Sequence, residues 1–239
     1  MRAVILAGGL GMRLRPYTVS IPKPLMPVGD QPIIDVVLRQ LAHYGFEHVT
    51  IATGHLAEML EAYCRDGAQY GLKIDYFRED EPLGTVGALA SIEGLAGDDF
   101  LVMNGDMLTD LDYGALLARH REDDALATIA TRLNDVQISL GVLKFAADDD
   151  TKLVDYDEKP VLQYEASMGV YCFSPEALKY IEPNVRLDFP DLMLRLIEND
   201  ESVRGWRSTD FWLDIGRPDD YGQAQDDFVR LRSRLLPWE

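Results

Sequence analysis

The sequence predicts an α/β protein: a mostly parallel central sheet with helices on both faces, joined to a smaller, partly antiparallel part. Three observations carry this. Short apolar runs at residues 3–7, 48–53, 74–78 and 100–103 alternate with amphipathic stretches of about ten residues, the rhythm of βαβ units. From residue 125 onward, predicted strands follow one another without helices between them, so some of them are antiparallel. With 239 residues, 47% hydrophobic and 27% charged, the chain can bury one sizeable core.

Residues 3–7 are apolar and end at Gly8, Gly9 and Gly11, which suits a buried parallel strand stopping at a turn that needs glycine freedom. Residues 33–44 place Ile34, Val37, Leu38 and Leu41 on one helical face, with Pro32 near the start and Gly45 past the end. Residues 48–53 form a second strand, 56–64 a second helix, and 74–78 a third strand before a turn around Pro82. Residues 85–95 are helical in pattern, and the fourth strand, 100–103, stops at Asn104, Gly105 and Asp106. A helix at 113–121 precedes strands at 125–131, 141–145, 153–156 and 166–173. Helical patterns at 175–181, 190–198 and 221–236 follow, with a last short strand at 211–215. Asp148, Asp149 and Asp150 lie between two strands and read as a hairpin turn rather than a metal site. The sequence has no internal repeat, low-complexity tract or linker, which predicts a single domain over 1–239.

Composition narrows the function. No stretch approaches the roughly 18–20 apolar residues of a membrane span, and the N-terminus lacks a signal peptide's basic start and long apolar run, so a cytoplasmic protein is expected. Cys64 and Cys172 sit in unrelated contexts without metal-ligand spacing, which predicts buried or idle thiols and neither zinc nor disulfides. The formal net charge of −18 argues against nucleic acid, whose phosphates demand a basic face. A polyanionic substrate would have to be held by local cations and a divalent metal, against the field of the whole chain.

Those cations cluster at residues 3–27. Amides of a glycine-rich turn form a concave nest for anionic oxygens, and Arg13, Arg15 and Lys23 add full charges beside it. A polyphosphate is the expected guest. A dinucleotide fingerprint would need glycine where Leu14 stands and an acidic residue where the next strand meets Gly54. A Walker A loop would need Lys followed by Ser or Thr just after the glycines, whereas Lys23 lies between Pro22 and Pro24. Turn formation alone would explain the glycines but not a lysine locked between two prolines.

Ligands of open α/β sheets collect at the carboxyl ends of the strands, which selects the glycine loop, residues 83–87, Asp106 and Asp214. Either aspartate alone could be a turn former or helix cap; together, beside a phosphate, they suit magnesium, which takes one or two carboxylates plus phosphate oxygens and water. The small residues at 83–89 would allow close approach by a flat base or ribose. Pro160 is expected to hold Lys159 extended, so that it could aim at a second phosphate, although without the other sites a solvated Glu158–Lys159 loop is the better explanation of the pair. The four histidines accompany no Ser or Cys nucleophile motif, which leaves direct transfer between bound phosphates.

The motifs AGGLGMRLRPYTVSIPKPL, LGTVGAL, VMNGDML, DYDEKP, MGVYCF and FWLDIGRPDDY occur in that order, and together they resemble the sugar-1-phosphate nucleotidyltransferases over essentially the whole chain. The resemblance implies a Rossmann-like three-layer domain with a nucleotide-binding half at about 1–110 and a sugar-phosphate-binding half at about 111–239. It implies an Mg2+-dependent reaction joining a nucleoside triphosphate to a sugar 1-phosphate with release of pyrophosphate, in nucleotide-sugar synthesis for cell-envelope polysaccharide. Carried over residue by residue, Arg13 resembles the arginine on the departing pyrophosphate and Lys23 the lysine on the reacting α-phosphate. Leu6, Ala7, Gly8, Gly9, Gly11, Gly84, Thr85 and Asp106 resemble the nucleotide contacts. Asp106 and Asp214 resemble the metal ligands, and Gly141, Glu158, Lys159 and Gly169 the sugar-phosphate contacts.

The sequence departs from the commonest family pattern at Met12, at Ser139 and Leu140 before Gly141, and at Ser167 and Met168 before Gly169, so the sugar pocket is its most individual part. It resembles the short single-domain members, and residues 83–89 resemble guanylyltransferases acting on mannose or heptose 1-phosphate. Thymidylyl, uridylyl or cytidylyl transfer to another sugar 1-phosphate is the alternative, as is a non-catalytic nucleotide-sugar-binding regulator. Leu14 and Gly54 disfavour an NAD oxidoreductase. The resemblance leaves a homo-oligomer open.

Overall fold

The computed structural model describes residues 1–79 and 81–238. At its centre is β1 (Arg2–Ala7), whose alternate residues are buried on opposite faces: Ala3, Ile5 and Ala7 join one core, Val4 the other. A strand covered on both sides has no solvent face to mark with polar residues, which is why it reads as a continuous apolar run.

The chain then forms a small ribbon, β2 (Pro27–Val28) and β3 (Gln31–Pro32), followed by α1 (Ile33–His43), β4 (His48–Thr53), α2 (Ala57–Cys64) and β5 (Lys73–Arg78). Next come β6 (Phe100–Asn104), β7 (Met107–Thr109), α3 (Tyr113–Glu122) and β8 (Ala127–Gln137). A hairpin of β9 (Gly141–Ala146) and β10 (Asp149–Glu158) leads into β11 (Val161–Phe173), α4 (Phe189–Glu198), β12 (Val203–Ser208), β13 (Trp212–Asp214) and α5 (Pro218–Leu235). The seven-stranded sheet has the order β12-β8-β11-β6-β1-β4-β5, and only β11 runs against the other six. The expected α/β class with a mostly parallel sheet is the observed one.

Helices α1, α2, α3 and α5 cover one face through residues such as Leu38, Leu60, Leu116 and Phe228, while α4 covers the other through Leu192, Met193 and Leu196. Both cysteines are buried free thiols. Burial raises the Cys64 thiol to about 12, with a further push from Asp35, which keeps it protonated and inert. Among the described residues no helix is long and apolar enough to cross a membrane.

Several expectations give way. Residues 85–95 form no α-helix, only 3-10 turns at Gly87–Ser91 and Leu95–Gly97. The Val86 amide donates across to Leu187 O at 3.1 Å, tying this stretch to residues 185–188 instead of to its own preceding turn. Residues 175–181 likewise adopt 3-10 rather than α geometry, at Pro175–Tyr180. β8 and β11 outrun their predicted lengths because their outer halves pair with each other beyond the sheet, from Ser167↔Thr131 to Val161↔Gln137. β12 escapes sequence reading because it is a half-exposed edge strand, VRGWRS, without an apolar run. Lys159 is not extended: its φ is +50°, because the chain must turn there to leave the hairpin and enter β11. The acidic cluster does sit at a hairpin end, with the turn at residues 147–148 and Asp149 opening β10.

Candidate active site

β1 delivers the chain to residues 8–16, and a 3-10 turn at Met12–Leu14 is pinned by Leu14, which is fully buried and donates its amide to Gly11 O at 2.9 Å. Gly11 has φ +58°, and a Cβ there would lie 2.8 Å from Thr18 Cγ2, so backbone conformation and crowding both require glycine. Thr18 Oγ1 donates to Gly11 O at 2.8 Å and fixes the loop from inside. Among the described residues, the amides of Gly9, Leu10, Gly11, Met12 and Arg13 find no acceptor within the chain. Such a row of free donors is what an anion-binding nest needs.

This loop walls a cavity of about 250 Å3, whose lining includes Leu6, Ala7, Arg13, Lys23, Asp106 and Gly216. Lys23 opens a 3-10 turn, Lys23–Leu25, and is only 8% exposed. Its ammonium forms an ion pair with Asp106 Oδ2, while Asp106 Oδ1 is buried without a hydrogen-bond partner. Arg13 is exposed at the rim and makes no ion pair among the described residues.

Asp214 reaches the same place through a strand pair that the sequence does not announce. β13 runs antiparallel to β7 with Asp214 opposite Met107, and the Ile215 amide donates to Asp106 O at 3.1 Å. Burial first, and the neighbouring Asp106 charge second, raise the Asp214 carboxyl above the usual aspartate range, against the opposing pull of Lys23 and Arg13. Gly216 permits the approach: a Cβ there would lie 3.1 Å from Asp214 Oδ2 and 3.3 Å from an Arg13 guanidinium nitrogen.

A second cavity, of about 360 Å3, shares Leu6, Gly9 and Asp106 with the first and continues past Gly8 to Gly84, Thr85 and Asn104. Its far wall holds Glu79, Arg186 and Asp188, none of which the sequence pattern singles out. Arg186 is the one whose chemistry could have flagged it, as a further cation for an anionic ligand. The small residues here serve the chain itself: a Cβ at Gly84 would lie 2.5 Å from Leu187 O, and one at Gly87 2.5 Å from Val185 O. Thr85 is clasped to α4, its amide donating to Asp188 Oδ1 at 3.1 Å and its Oγ1 accepting from the Phe189 amide at 2.6 Å. Burial raises the Glu79 carboxyl, and the Leu83 amide, donating to it, pulls the other way.

The structure therefore brings Arg13, Lys23, Asp106, Asp214 and the glycine loop together, with Gly84 and Thr85 in the adjoining cavity. Gly169 stands against the second cavity, where a Cβ would lie 2.6 Å from Asn104 Nδ2. Gly141, Glu158 and Lys159 line neither cavity. Gly141 and Glu158 pair across the root of the β9–β10 hairpin, and Lys159 is exposed beside Glu158 at 3.9 Å.

Asp106 and Asp214 fit a hard divalent ion such as magnesium: they offer oxygen donors only, one of them an orphaned buried oxygen, and Asp106 raises the Asp214 carboxyl against the opposing pull of Lys23 and Arg13. Among the described residues no group of three or more His, Cys, Asp or Glu could hold a metal by itself, so oxygens of bound phosphates and water would have to complete the coordination.

Comparison with known proteins gives the same direction. Residues 2–230 match the family model described as nucleotidyl transferase. The chain is 35% identical to the UTP–glucose-1-phosphate uridylyltransferase of Synechocystis sp., covering 94% of this chain and 62% of that protein. It is also 35% identical to the mannose-1-phosphate guanylyltransferase of Mycobacterium tuberculosis, covering 95% of this chain and 64% of that protein. The chain thus spans just under two thirds of the length of these curated relatives. Among solved structures, HddC from Yersinia pseudotuberculosis complexed with GMP-PN superposes with a TM-score of 0.71 at 25% identity, over 95% of this chain and 99% of that one. A Bacillus anthracis protein described as a glucose-1-phosphate thymidylyltransferase has the same fold, with a TM-score of 0.75 at 23% identity over 95% of this chain and 94% of that one.

Proposed function

The chain belongs to the nucleotidyl transferase family, and we propose that it transfers a nucleoside monophosphate from a nucleoside triphosphate to a sugar 1-phosphate, releasing pyrophosphate. The observation that carries this reading is the convergence of Lys23, Asp106 and Asp214 beside a loop of unpaired amides. Guanylyl transfer to mannose 1-phosphate or heptose 1-phosphate is the favoured case. Its support is the run of residues 83–89 and the several relatives named mannose-1-phosphate guanylyltransferase.

In this reading a phosphate oxygen of the sugar 1-phosphate attacks the α-phosphorus of the triphosphate, and the bond to the β-phosphate oxygen breaks as the new one forms. No protein nucleophile takes part, so the chain's work is positioning and charge neutralisation. Lys23, whose charge is nearly buried, faces the α-phosphate, where its field is least screened. Arg13 at the rim and the free amides of residues 9–13 hold the departing pyrophosphate. Asp106 and Asp214 hold Mg2+, which would supply charge neutralisation on phosphate oxygens and a template for the two substrates. The second cavity takes the nucleoside, with Gly84 and Thr85 beside base and ribose. Gly141, Glu158, Lys159 and Gly169 take the sugar phosphate, Lys159 facing its phosphate. Residues 1–110 are the nucleotide half and 111–239 the sugar-phosphate half of one domain, in a protein acting in the cytoplasm.

The test is a panel assay: pyrophosphate release with Mg2+ across nucleoside triphosphates and sugar 1-phosphates. Turnover with GTP and mannose or heptose 1-phosphate is expected, abolished by EDTA. No release from any pair would refute the activity, and turnover confined to another base would refute only the guanylyl assignment.

A further inference from the structure

A cavity of about 500 Å3 opens against β4 and β5 and shares no lining residue with the two cavities of the candidate active site. Its floor follows from register. Val4, Thr50 and Asp75 stand side by side across β1, β4 and β5, and Phe77 lies two residues beyond Asp75, so Thr50, Asp75 and Phe77 share the face that Val4 turns to its core. The wall is the end of the 3-10 turn Gly87–Ser91 with Ile92 and Glu93, and Arg2, the first residue of β1, completes the lining.

Two polar atoms of this lining find no partner in the chain: Arg2 Nε and the Ser91 hydroxyl are both buried without a hydrogen bond. Arg2 donates from Nη2 to Thr50 Oγ1 at 3.0 Å, and among the described residues its guanidinium makes no ion pair. The following loop is fitted around that group: at Gly94, with φ +79°, a Cβ would lie 2.3 Å from Arg2 Nη1. Burial lowers the Arg2 pKa and Asp75 pulls it back up, as for a cation taken from water without a bonded counter-charge. Asp75 is engaged elsewhere, accepting from His48 Nε2 and, at 3.4 Å, from Lys73. Glu93 is exposed, and among the described residues its carboxylate makes no hydrogen bond or ion pair.

Water could partner Arg2 Nε and Ser91 Oγ but brings no counter-charge, whereas a carboxylate brings both, with oxygens to accept from each donor. A bare anion would be repelled by Glu93 and Asp75, so the same molecule has to carry a positive charge as well. Phe77 and Ile92 supply apolar wall, and the volume lies in the range of small-molecule sites. We propose that this cavity binds a free α-amino acid with an apolar side chain, its carboxylate on Arg2 and Ser91, its ammonium on Glu93 and its side chain against Phe77 and Ile92. The inference is independent of the proposed reaction.

Isothermal titration calorimetry on the full chain tests it, with L-phenylalanine and L-leucine as probes and N-acetyl-L-phenylalanine, L-phenylalaninamide and inorganic phosphate as comparisons. Saturable one-to-one binding of at least one amino acid is expected, with the three comparison compounds at least ~10-fold weaker for want of one charge-assisted contact. Ser91→Ala should weaken binding by about 3- to 10-fold, and Glu93→Gln should erase the preference for L-phenylalanine over its N-acetyl form. Arg2→Gln should abolish binding; Ser91→Ala and Glu93→Gln leave Arg2 and its loop in place and so decide the matter if that variant fails to fold. Amides of residues 91–94 should gain hydrogen-exchange protection in saturating amino acid. No saturable binding of either amino acid up to about 10 mM would overturn the proposal. So would N-acetyl-L-phenylalanine or phosphate binding as tightly as the amino acid, wild-type affinity and preference in either decisive variant, or unchanged exchange at residues 91–94.

Discussion

Lys23 is only 8% exposed and forms an ion pair with Asp106, and that pairing ties the site's chemistry to the stability of the fold. Asp106→Asn leaves the ammonium without its counter-charge and should cost about 1–3 kcal/mol in urea unfolding, less than a fully buried pair because the Asp106 side chain is 27% exposed. Lys23→Ala should lower the transfer rate by about 10²–10³ with little change in the Michaelis constant for the triphosphate, the pattern of a contact made mainly in the transition state. A second titratable group acts on stability alone. His120 is 1% exposed, its Nδ1 2.8 Å from Thr128 Oγ1, and burial lowers its pKa from 6.5. Between the lowered folded value and 6.5 the unfolded chain binds the proton more tightly, so this contribution is complete above 6.5 and is lost as pH falls below it. Melting temperature should therefore drop on acidification from pH 7 to 5.5, and His120→Gln should flatten that slope.

At the scale of elements, the loop after β5 is shaped by its contact with residues 185–188. Gly84→Ala adds a Cβ 2.5 Å from Leu187 O at a position with φ +78°, which should cost about 2–3 kcal/mol in thermal or urea unfolding and disturb the second cavity. A neutral outcome would mean that the clasp between Thr85 and α4 is not rigid. This contact also explains what could be read in advance. The strands β1, β4 and β6 were legible to within a residue or so because burial on both faces leaves an unbroken apolar run. The stretch 85–95 was not, because its geometry is set by hydrogen bonds to a segment a hundred residues away, and periodicity reports only local preference. β13 was legible as the short strand at 211–215, but β7, three residues long, carries no pattern, and it is the pairing of the two that brings Asp214 alongside Asp106.

For the whole molecule, the parallel sheet fixes the site's location: loops leaving the carboxyl ends of adjacent strands meet at one edge. That rule made Arg13, Lys23 and Asp106 legible from sequence, each adjoining a recognisable strand end or proline turn. Glu79, Arg186 and Asp188 were hidden because only the packing of distant loops makes them walls of one cavity. These parts make up the proposed two-substrate transfer site, in which the nucleotidyl group would pass directly between bound phosphates. Single-turnover transfer from GTP labelled with 32P at the α or the γ position, with mannose or heptose 1-phosphate and Mg2+, tests it most directly. The α label is expected in the nucleotide sugar and the γ label in pyrophosphate, with neither attached to the protein and with transfer slowed at least about 100-fold in Lys23→Ala. Label covalently held by the protein, or unchanged transfer in Lys23→Ala, would contradict it.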